Sequence, residues 1–411
     1  MSRTILFITP QLPYPPISGG TIVSLKMIDF LSKSYKLILV CQLKSQDDIE
    51  NEEIFLKEYG KRLWMYKSAR LSFDTYKRSF SNLLKSYFHN VPLSVYRNFN
   101  SNIRKYVSYL LENERIDRVL VDHYVGFQYI EKFIEYMKKR HIKIILLEHN
   151  AEYVIWERYA KLETNLIKKF LIKIEAERIK NYERKICLLS DNVLCLTEND
   201  MNALLELGLS KNKFKVITPV GDYELLSKND LRFESTEESL LFVGTLSWEA
   251  NIEGIEWFIK NVWKELRREF INLRLYIVGK NPPERLTKYS QLDKNIILTG
   301  FVDDLEAYYK RCRVFVSPIR FGSGIKIKNI NAMYRGIPLV TTSVGIEGIN
   351  GEDGKHFYIA DDEKLFKEKI SILLKNKDKW YEISRNARQL AREKYSWDII
   401  LTQLRGVIED D

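Results

Sequence analysis

The sequence predicts an α/β protein made of two domains, each a parallel sheet covered by helices. Two observations carry this. Short apolar runs alternate with longer amphipathic stretches, the rhythm of strand–helix units whose strands are buried on both faces. The rhythm also stops once, at the polar, acidic stretch Tyr223 to Glu238, and then restarts with a glycine after nearly every strand. A chain of 411 residues, 45% hydrophobic and 29% charged, is long enough for two full cores.

The first series begins with Arg3 to Thr9 (RTILFIT), a strand ending in the turn PQLPYPPISGG. A helix from about Thr21 to Leu31, strand Lys36 to Leu43 and helix Asp47 to Tyr59 follow. Next come strand Arg62 to Tyr66, a helical stretch around Ser101 to Glu114, strand Arg118 to Val121, helix Phe127 to Arg140 and strand Lys143 to Leu147. That strand runs into Glu148-His149-Asn150, where open α/β sheets place ligand groups. A long charged helical region, Ala151 to Leu189, returns to strands Asn192 to Leu196 and Lys215 to Thr218. Tyr223 to Glu238 lacks periodicity and reads as a linker. The second series has strands Leu240 to Val243, Leu273 to Val278, Asn295 to Leu298, Val314 to Ser317 and Pro338 to Thr342, a helix Asn251 to Phe270, and closing helices from about Asp362.

No apolar run approaches the roughly 18 residues of a membrane span, and the first strand stops at Pro10, without the apolar core of a cleavable signal. Cys41, Cys187, Cys195 and Cys312 are scattered without metal-ligand spacing and read as buried thiols of a reducing, cytoplasmic compartment. The net charge of +10 is concentrated between Lys61 and Lys105, where ten Lys or Arg meet one acid, Asp74, among interleaved aromatics. Such a block, with Lys77, Arg78 and Lys85 at its centre, can grip an anionic ligand or lie on an anionic membrane surface. A solvated helical face is the plain alternative, and no nucleic-acid partner is expected.

Ser317 to Gly336, SPIRFGSGIKIKNINAMYRG, is the stretch richest in chemistry. A strand end, a turn with Gly322 and Gly324 flanking Ser323, and a helix start leave backbone N–H groups and the positive helix end for an anion. Arg320 and Lys326 add two charges, so the stretch suits a phosphate or diphosphate; a ligand-free strand–turn–helix connection is equally consistent with it alone. Familiar alternatives are missing: there is no GxxxxGK[ST], no GxGxxG after the first strand, no Asp-X-Asp, no GxSxG, and no metal spacing among five histidines. No metal and no cofactor are expected.

With these residues in place the chain resembles the retaining glycosyltransferases of family 4, in the branch marked by GSGIK. The resemblance covers nearly the whole chain and is strongest from Leu241 to Gly348. FVGTLSWEANIEGIEWF, IVGKNPP, LTGFVDDLEAYY and SPIRFGSGIKIKNINAMYRGIPLVTTSVGIEG follow one another in the family's order, with EHNAEYVIWER and Gly19-Gly20 matching more loosely. It implies the GT-B fold, two Rossmann-like domains with parallel sheets facing across a cleft. Residues 1–221 would bind the acceptor, 222–393 the nucleotide-sugar donor, and 394–411 would form a helix crossing back to the first domain.

The resemblance also implies roles. Gly19 and Gly20 match a loop against the donor diphosphate, and His149 the histidine near the transferred sugar. Gly244 and Thr245 match the first donor-domain loop, and Phe301 and Val302 the segment bordering the base. Arg320, Gly322, Ser323, Gly324, Ile325 and Lys326 match the diphosphate and sugar seat. Thr245 stands where many relatives carry Arg, a charge that Arg320 and Lys326 would supply. Ser323 and Asn331 occupy the two positions of a Glu–seven residues–Glu motif. Asn331 has one carbonyl oxygen where a glutamate would accept both ribose hydroxyls, a loss of about 1–2 kcal/mol.

The implied reaction is metal-independent, retaining transfer of a sugar from a nucleotide-diphosphate donor to a glycan or lipid-linked acceptor hydroxyl in cell-surface glycan or lipopolysaccharide synthesis. Arg320, Lys326 and the helix start would hold charge on the leaving diphosphate, with His149 near the sugar. The expected location is cytoplasmic, peripheral on the inner face of the plasma membrane. A GT-B nucleotide-sugar epimerase and a non-catalytic transferase-like binding subunit remain as alternatives.

Overall fold

The computed structural model describes residues 3–16, 18–72, 80–218 and 220–410. The chain divides into two units, Met1–Thr218 with Ile400–Asp411, and Pro219–Ile399.

The first unit is a seven-stranded sheet of β1 (Thr4–Thr9), β2 (Lys36–Leu43), β3 (Met65–Arg70), β4 (Arg118–Asp122), β5 (Lys143–Glu148), β6 (Asn192–Cys195) and β7 (Phe214–Val216). Its order is β3-β2-β1-β4-β5-β6-β7, with every pair parallel. The apolar runs TILFIT and RVLVD are buried along their whole length because they sit at the centre of this sheet. The strand order reverses between β1 and β4, so the carboxyl ends of those two strands flank the natural ligand crevice of such a sheet.

Two helical expectations change. Instead of one helix from Phe127 to Arg140 there are 3₁₀ turns at Tyr124–Tyr129 and Glu131–Phe133, and an α-helix only at Ile134–Lys139. The first turn is buried on every side, so it has no solvent face to set a helical period. Tyr129 Oη donates to Gln42 Oε1 at 2.7 Å, and Gln128 Nε2 donates to Val95 O and Val125 O at 2.9 Å, drawing the segment inward. The long stretch after β5 is a hairpin of two helices, Glu152–Leu162 and Leu166–Leu189. It breaks at residues 163–165, where Asn165 caps the second helix by accepting from Lys168 N at 3.0 Å.

The second unit is a six-stranded parallel sheet of β8 (Glu237–Val243), β9 (Arg274–Val278), β10 (Ile296–Gly300), β11 (Cys312–Ser317), β12 (Leu339–Thr341) and β13 (Tyr358–Ile359), ordered β10-β9-β8-β11-β12-β13. The order reverses between β8 and β11, and the glycine turn of residues 322–324 follows β11. The helix Ile327–Arg335 then ends at Gly336, whose φ of 78° forms a left-handed cap. The two-residue β13 escapes a sequence reading because its length carries no period.

The stretch read as a linker belongs to this unit. Arg388 donates to Asp230 Oδ1 at 2.5 Å, Leu226 O at 2.8 Å and Lys228 O at 3.0 Å, and Arg335 Nη1 donates to Asn229 O at 2.9 Å. Phe233 lies under the Arg313 guanidinium at 4.0 Å. The segment is held by backbone carbonyls and by polar side chains such as Asp230 and Glu234, which is why it shows no apolar period. Residues 400–410 pack in the first unit: Arg3 donates to Ile408 O at 2.6 Å and Arg118 to Asp410 O at 2.9 Å. The four cysteines are free and buried, and no described helix is long and apolar enough to cross a membrane.

Candidate active site

In the first unit the functional groups gather at the carboxyl ends of β1, β4 and β5. Asp122 ends β4 and is 2% exposed. Its Oδ1 lies 2.7 Å from His149 Nε2, while its Oδ2 accepts from Ser24 Oγ at 2.7 Å and Thr9 Oγ1 at 2.8 Å. Burial alone would raise this carboxyl, but the charge and hydrogen bond of His149, helped by Ser24, hold it below the usual carboxylate range. An ionised carboxylate can only accept, so the proton on His149 sits on Nε2. The Nδ1 edge faces the first turn of the helix Gly19–Ser34: a Cβ at Gly20 would lie 3.5 Å from Nδ1.

His123 completes this cluster. It stacks on the His149 ring with centroids 5.0 Å apart and planes 16° from parallel. Its φ of 72° is a left-handed backbone that a non-glycine residue adopts only where its surroundings impose it. Burial, followed by the neighbouring His149, pushes its pKa down to about 3, so it is a neutral plate against His149 at any physiological pH. Gly19 and Gly20 open the helix, capped by Ser18, and Gly20 O accepts from Ser24 Oγ at 3.0 Å, which links that turn to Asp122.

In the second unit the turn after β11 bends through Gly322 (φ 132°) and Gly324 (φ 73°), conformations that a side chain would strain. The Trp248 ring closes one side, 3.3 Å from where a Cβ at Gly322 would sit. Ser323 and Lys326 are buried, and Lys326 Nζ donates to Ser323 O at 3.1 Å and Gly324 O at 2.5 Å. The helix start has no side-chain cap. Arg320 is an ion pair with Glu253 at 2.9 Å, its guanidinium 5.2 Å from the Trp257 ring centroid.

Lys328 is the residue that the sequence reading passed over. Its Nζ donates to Asn251 Oδ1 at 2.7 Å and lies 4.5 Å over the Phe242 ring. Asn251 Nδ2 in turn donates to Thr245 O at 2.9 Å, and a Cβ at Gly244 would stand 2.8 Å from the same nitrogen. A cation is therefore wired to the Gly244–Thr245 loop from the next residue but one after Lys326. Burial of the amine, then the charge of Lys326, push Lys328 down to about 7. Asp122 was equally unmarked; its position at a strand's carboxyl end was the one signal for it.

The remaining expected residues are dispersed. Asn331 Oδ1 accepts from Asp222 N at 2.8 Å, and Gly221 passes so close that a Cβ there would be 1.8 Å from the same oxygen. Phe301, 55% exposed, and Val302 follow β10, two strands from β8. Ile325 sits in the turn before the helix, half-buried. Lys77 and Arg78 lie outside the described residues, and Lys85 is exposed on the helix Phe80–Phe88.

Residues 237–376, most of the second unit, match the model of the glycosyl transferases group 1. The two parallel sheets are those of the GT-B fold. Sucrose-phosphate synthase of Thermosynechococcus elongatus is similar over 98% of both chains, with a TM-score of 0.71 and 14% identity. HepE of Anabaena, solved in complex with UDP and glucose, is similar over 100% of both chains, with a TM-score of 0.65 and 12% identity. A TarM mutant of S. aureus, in complex with fondaparinux, α-GlcNAc-glycerol and UDP, is similar over 100% of both, with a TM-score of 0.69 and 13% identity. By sequence, an uncharacterized 44.6 kDa protein in the cps region of Klebsiella pneumoniae is 26% identical over 405 residues, 95% of this chain and 96% of that one. The group 1 match and the GT-B fold together support a glycosyltransferase. The matched region contains the whole Gly322–Lys328 turn and the Gly244–Thr245 loop.

Proposed function

We propose that this chain is a retaining glycosyltransferase of family 4 that moves a sugar from a nucleotide-diphosphate donor to the hydroxyl of a lipid-linked or polysaccharide acceptor in cell-surface glycan synthesis. One observation carries the reading: an uncapped helix start with Lys326 and Lys328 on it, joined through Asn251 to the Gly244–Thr245 loop. Such a seat concentrates positive charge and backbone N–H groups where a diphosphate leaving group needs them. In this reading the lysines and helix start neutralise the leaving diphosphate without a metal, and its oxygen takes the acceptor's proton on the face the sugar leaves. Asp122 keeps the Nε2 proton on His149 and orients its ring toward the sugar. The UDP and UDP-glucose complexes of HepE support a nucleotide-sugar donor, and the TarM complex supports a glycan acceptor. The enzyme would work in the cytoplasm, peripheral on the inner face of the plasma membrane.

The test is a binding screen by thermal shift across UDP, GDP, ADP, CMP and their sugars, followed by donor turnover with product stereochemistry read by NMR. One nucleoside diphosphate should stabilise the protein well above its nucleoside, and Lys326→Ala should remove that preference. Equal responses to nucleoside and nucleoside diphosphate would sink the diphosphate seat. A transferase-like subunit that binds without turnover is the second reading, favoured by Asn331, whose carbonyl oxygen is already engaged by Asp222 N. Donor binding with no transfer or hydrolysis would select it.

A further inference from the structure

The helical hairpin after His149 carries an apolar tip. Leu166 is 80% exposed, Ile167 76%, Phe170 63% and Leu171 48%. Their spacing of one, four and five residues puts them on one face of the helix Leu166–Leu189, while Ile172 turns inward and is buried. The two helices run antiparallel: Lys168 reaches Tyr159 and Glu163 near the tip, and Lys180 reaches Tyr153 and Glu157 near the base. The apolar face is thus the outer end of the hairpin.

Charge says what covers it. Lys161, Lys168, Lys169 and Lys173 surround these residues, and Glu163 is the single acid in the sequence between 161 and 174. Lys168 engages that acid at 2.6 Å. A second copy of this tip would bring lysines against lysines, whereas anionic headgroups neutralise them while the leucine, isoleucine and phenylalanine side chains enter the acyl boundary. The adjoining helix extends the surface. On Phe80–Phe88, Leu84, Tyr87 and Phe88 are 46%, 44% and 89% exposed beside Lys85. Arg178 of the hairpin lies 3.9 Å over the Tyr87 ring and donates to Ser86 Oγ at 3.3 Å, so the two apolar sets stand on elements packed together.

We propose that the hairpin tip, Leu166 to Lys173, seats the first unit on an anionic bilayer. This places membrane contact about sixty residues beyond Lys105, the end of the basic block that begins at Lys61. The tip is connected to the chemistry: the helix Glu152–Leu162 begins three residues after His149 and, at about 1.5 Å per residue, spans roughly 16 Å. Seated in the headgroups, it keeps His149 roughly one helix length from the surface out of which a lipid-linked acceptor would rise. The docking stands on the surface alone; only the acceptor rests on the transferase reading.

Flotation of the full chain tests it, with phosphatidylglycerol-rich vesicles against phosphatidylcholine alone. Wild type should float with the anionic vesicles and be released by high salt. The double variant Ile167→Ser/Phe170→Ser should lose about tenfold or more of the bound fraction, and Lys169→Glu/Lys173→Glu should do the same, both keeping the wild-type circular-dichroism melt. Wild type that stays unbound, or a serine variant that floats unchanged, overturns the proposal. A concentration-dependent dimer that the serine variant abolishes would assign the tip to a second copy and overturn it equally. Nucleoside-diphosphate binding, measured without vesicles, reports on the transferase reading separately and should be the same in all these variants.

Discussion

Replacing Lys328 by methionine removes one cation from the proposed diphosphate seat, together with its hydrogen bond to Asn251 Oδ1, while the apolar stem still packs beside Phe242. A charge-assisted hydrogen bond is worth about 1.5–3 kcal/mol, so binding of the preferred nucleoside diphosphate should weaken about 10- to 150-fold, with nucleoside binding unchanged. The pH dependence is the sharper test. Lys328 sits at about 7 in the free protein, and an anion beside it raises that value, so the ligand arrives with a proton. Below about pH 7 the lysine is already charged and affinity is flat with respect to this group. Above it, each pH unit costs about 1.4 kcal/mol until the bound-state value is reached. Calorimetry at pH 8 in two buffers of different ionisation enthalpy should show uptake of close to one proton by wild type. It should show none by Lys328→Met, and none by Lys328→Arg, which keeps the charge and the affinity. A methionine variant that binds like wild type, or keeps the same proton uptake, would refute the assignment.

Asp122→Asn should lower turnover by about a hundredfold or more while leaving the donor's KM within about twofold, because it frees His149 to exchange tautomers without touching the second unit. Rescue by Asp122→Glu would support the carboxylate's role, whereas no change in turnover or in the pH profile would reduce Asp122 to packing. Glu148 is wholly buried with no side-chain partner on either carboxylate oxygen, and burial together with Glu183 raises it well above the usual range. The native state therefore holds a proton that the unfolded chain gives up from about pH 4 upward, and stability falls as pH climbs toward the native value. Glu148→Gln should be the more stable form at pH 8, by on the order of 1–3 kcal/mol, and equal to wild type near pH 4; chemical denaturation at both values decides. Asn331→Glu should tighten nucleoside-diphosphate binding by about 1–2 kcal/mol and leave inorganic diphosphate unaffected; equal changes for both ligands would move the ribose elsewhere.

Much of the first-level architecture was legible because buried parallel strands must be apolar along their whole length. TILFIT, KLILVCQL and RVLVD could hardly be anything else, and each became a strand of the first sheet. Reading failed where apolar pattern stopped carrying information. Tyr124–Tyr129 is buried all round and so shows no helical face. The segment from Tyr223 onward is held by Arg335 and Arg388 through its carbonyls and by polar side chains such as Asp230, attachments that leave no apolar period. The hairpin tip was spelled out as LIKKFLIKI, but a helix with apolar residues on two sides reads as buried until its partner is known.

The sequence by itself determined the two-fold α/β plan and the anion-friendly turn after β11, because glycine geometry, helix ends and lysine charge are local properties. Only the tertiary structure decided which groups act together. Asp122 and His149 are 27 residues apart and meet because β4 and β5 are parallel neighbours whose carboxyl ends lie side by side. Lys328 and Asn251 are 77 residues apart and meet where their helices follow adjacent strands, β11 and β8. Sheet order brings those pairs together, and sheet order is a property of the whole unit rather than of any stretch within it.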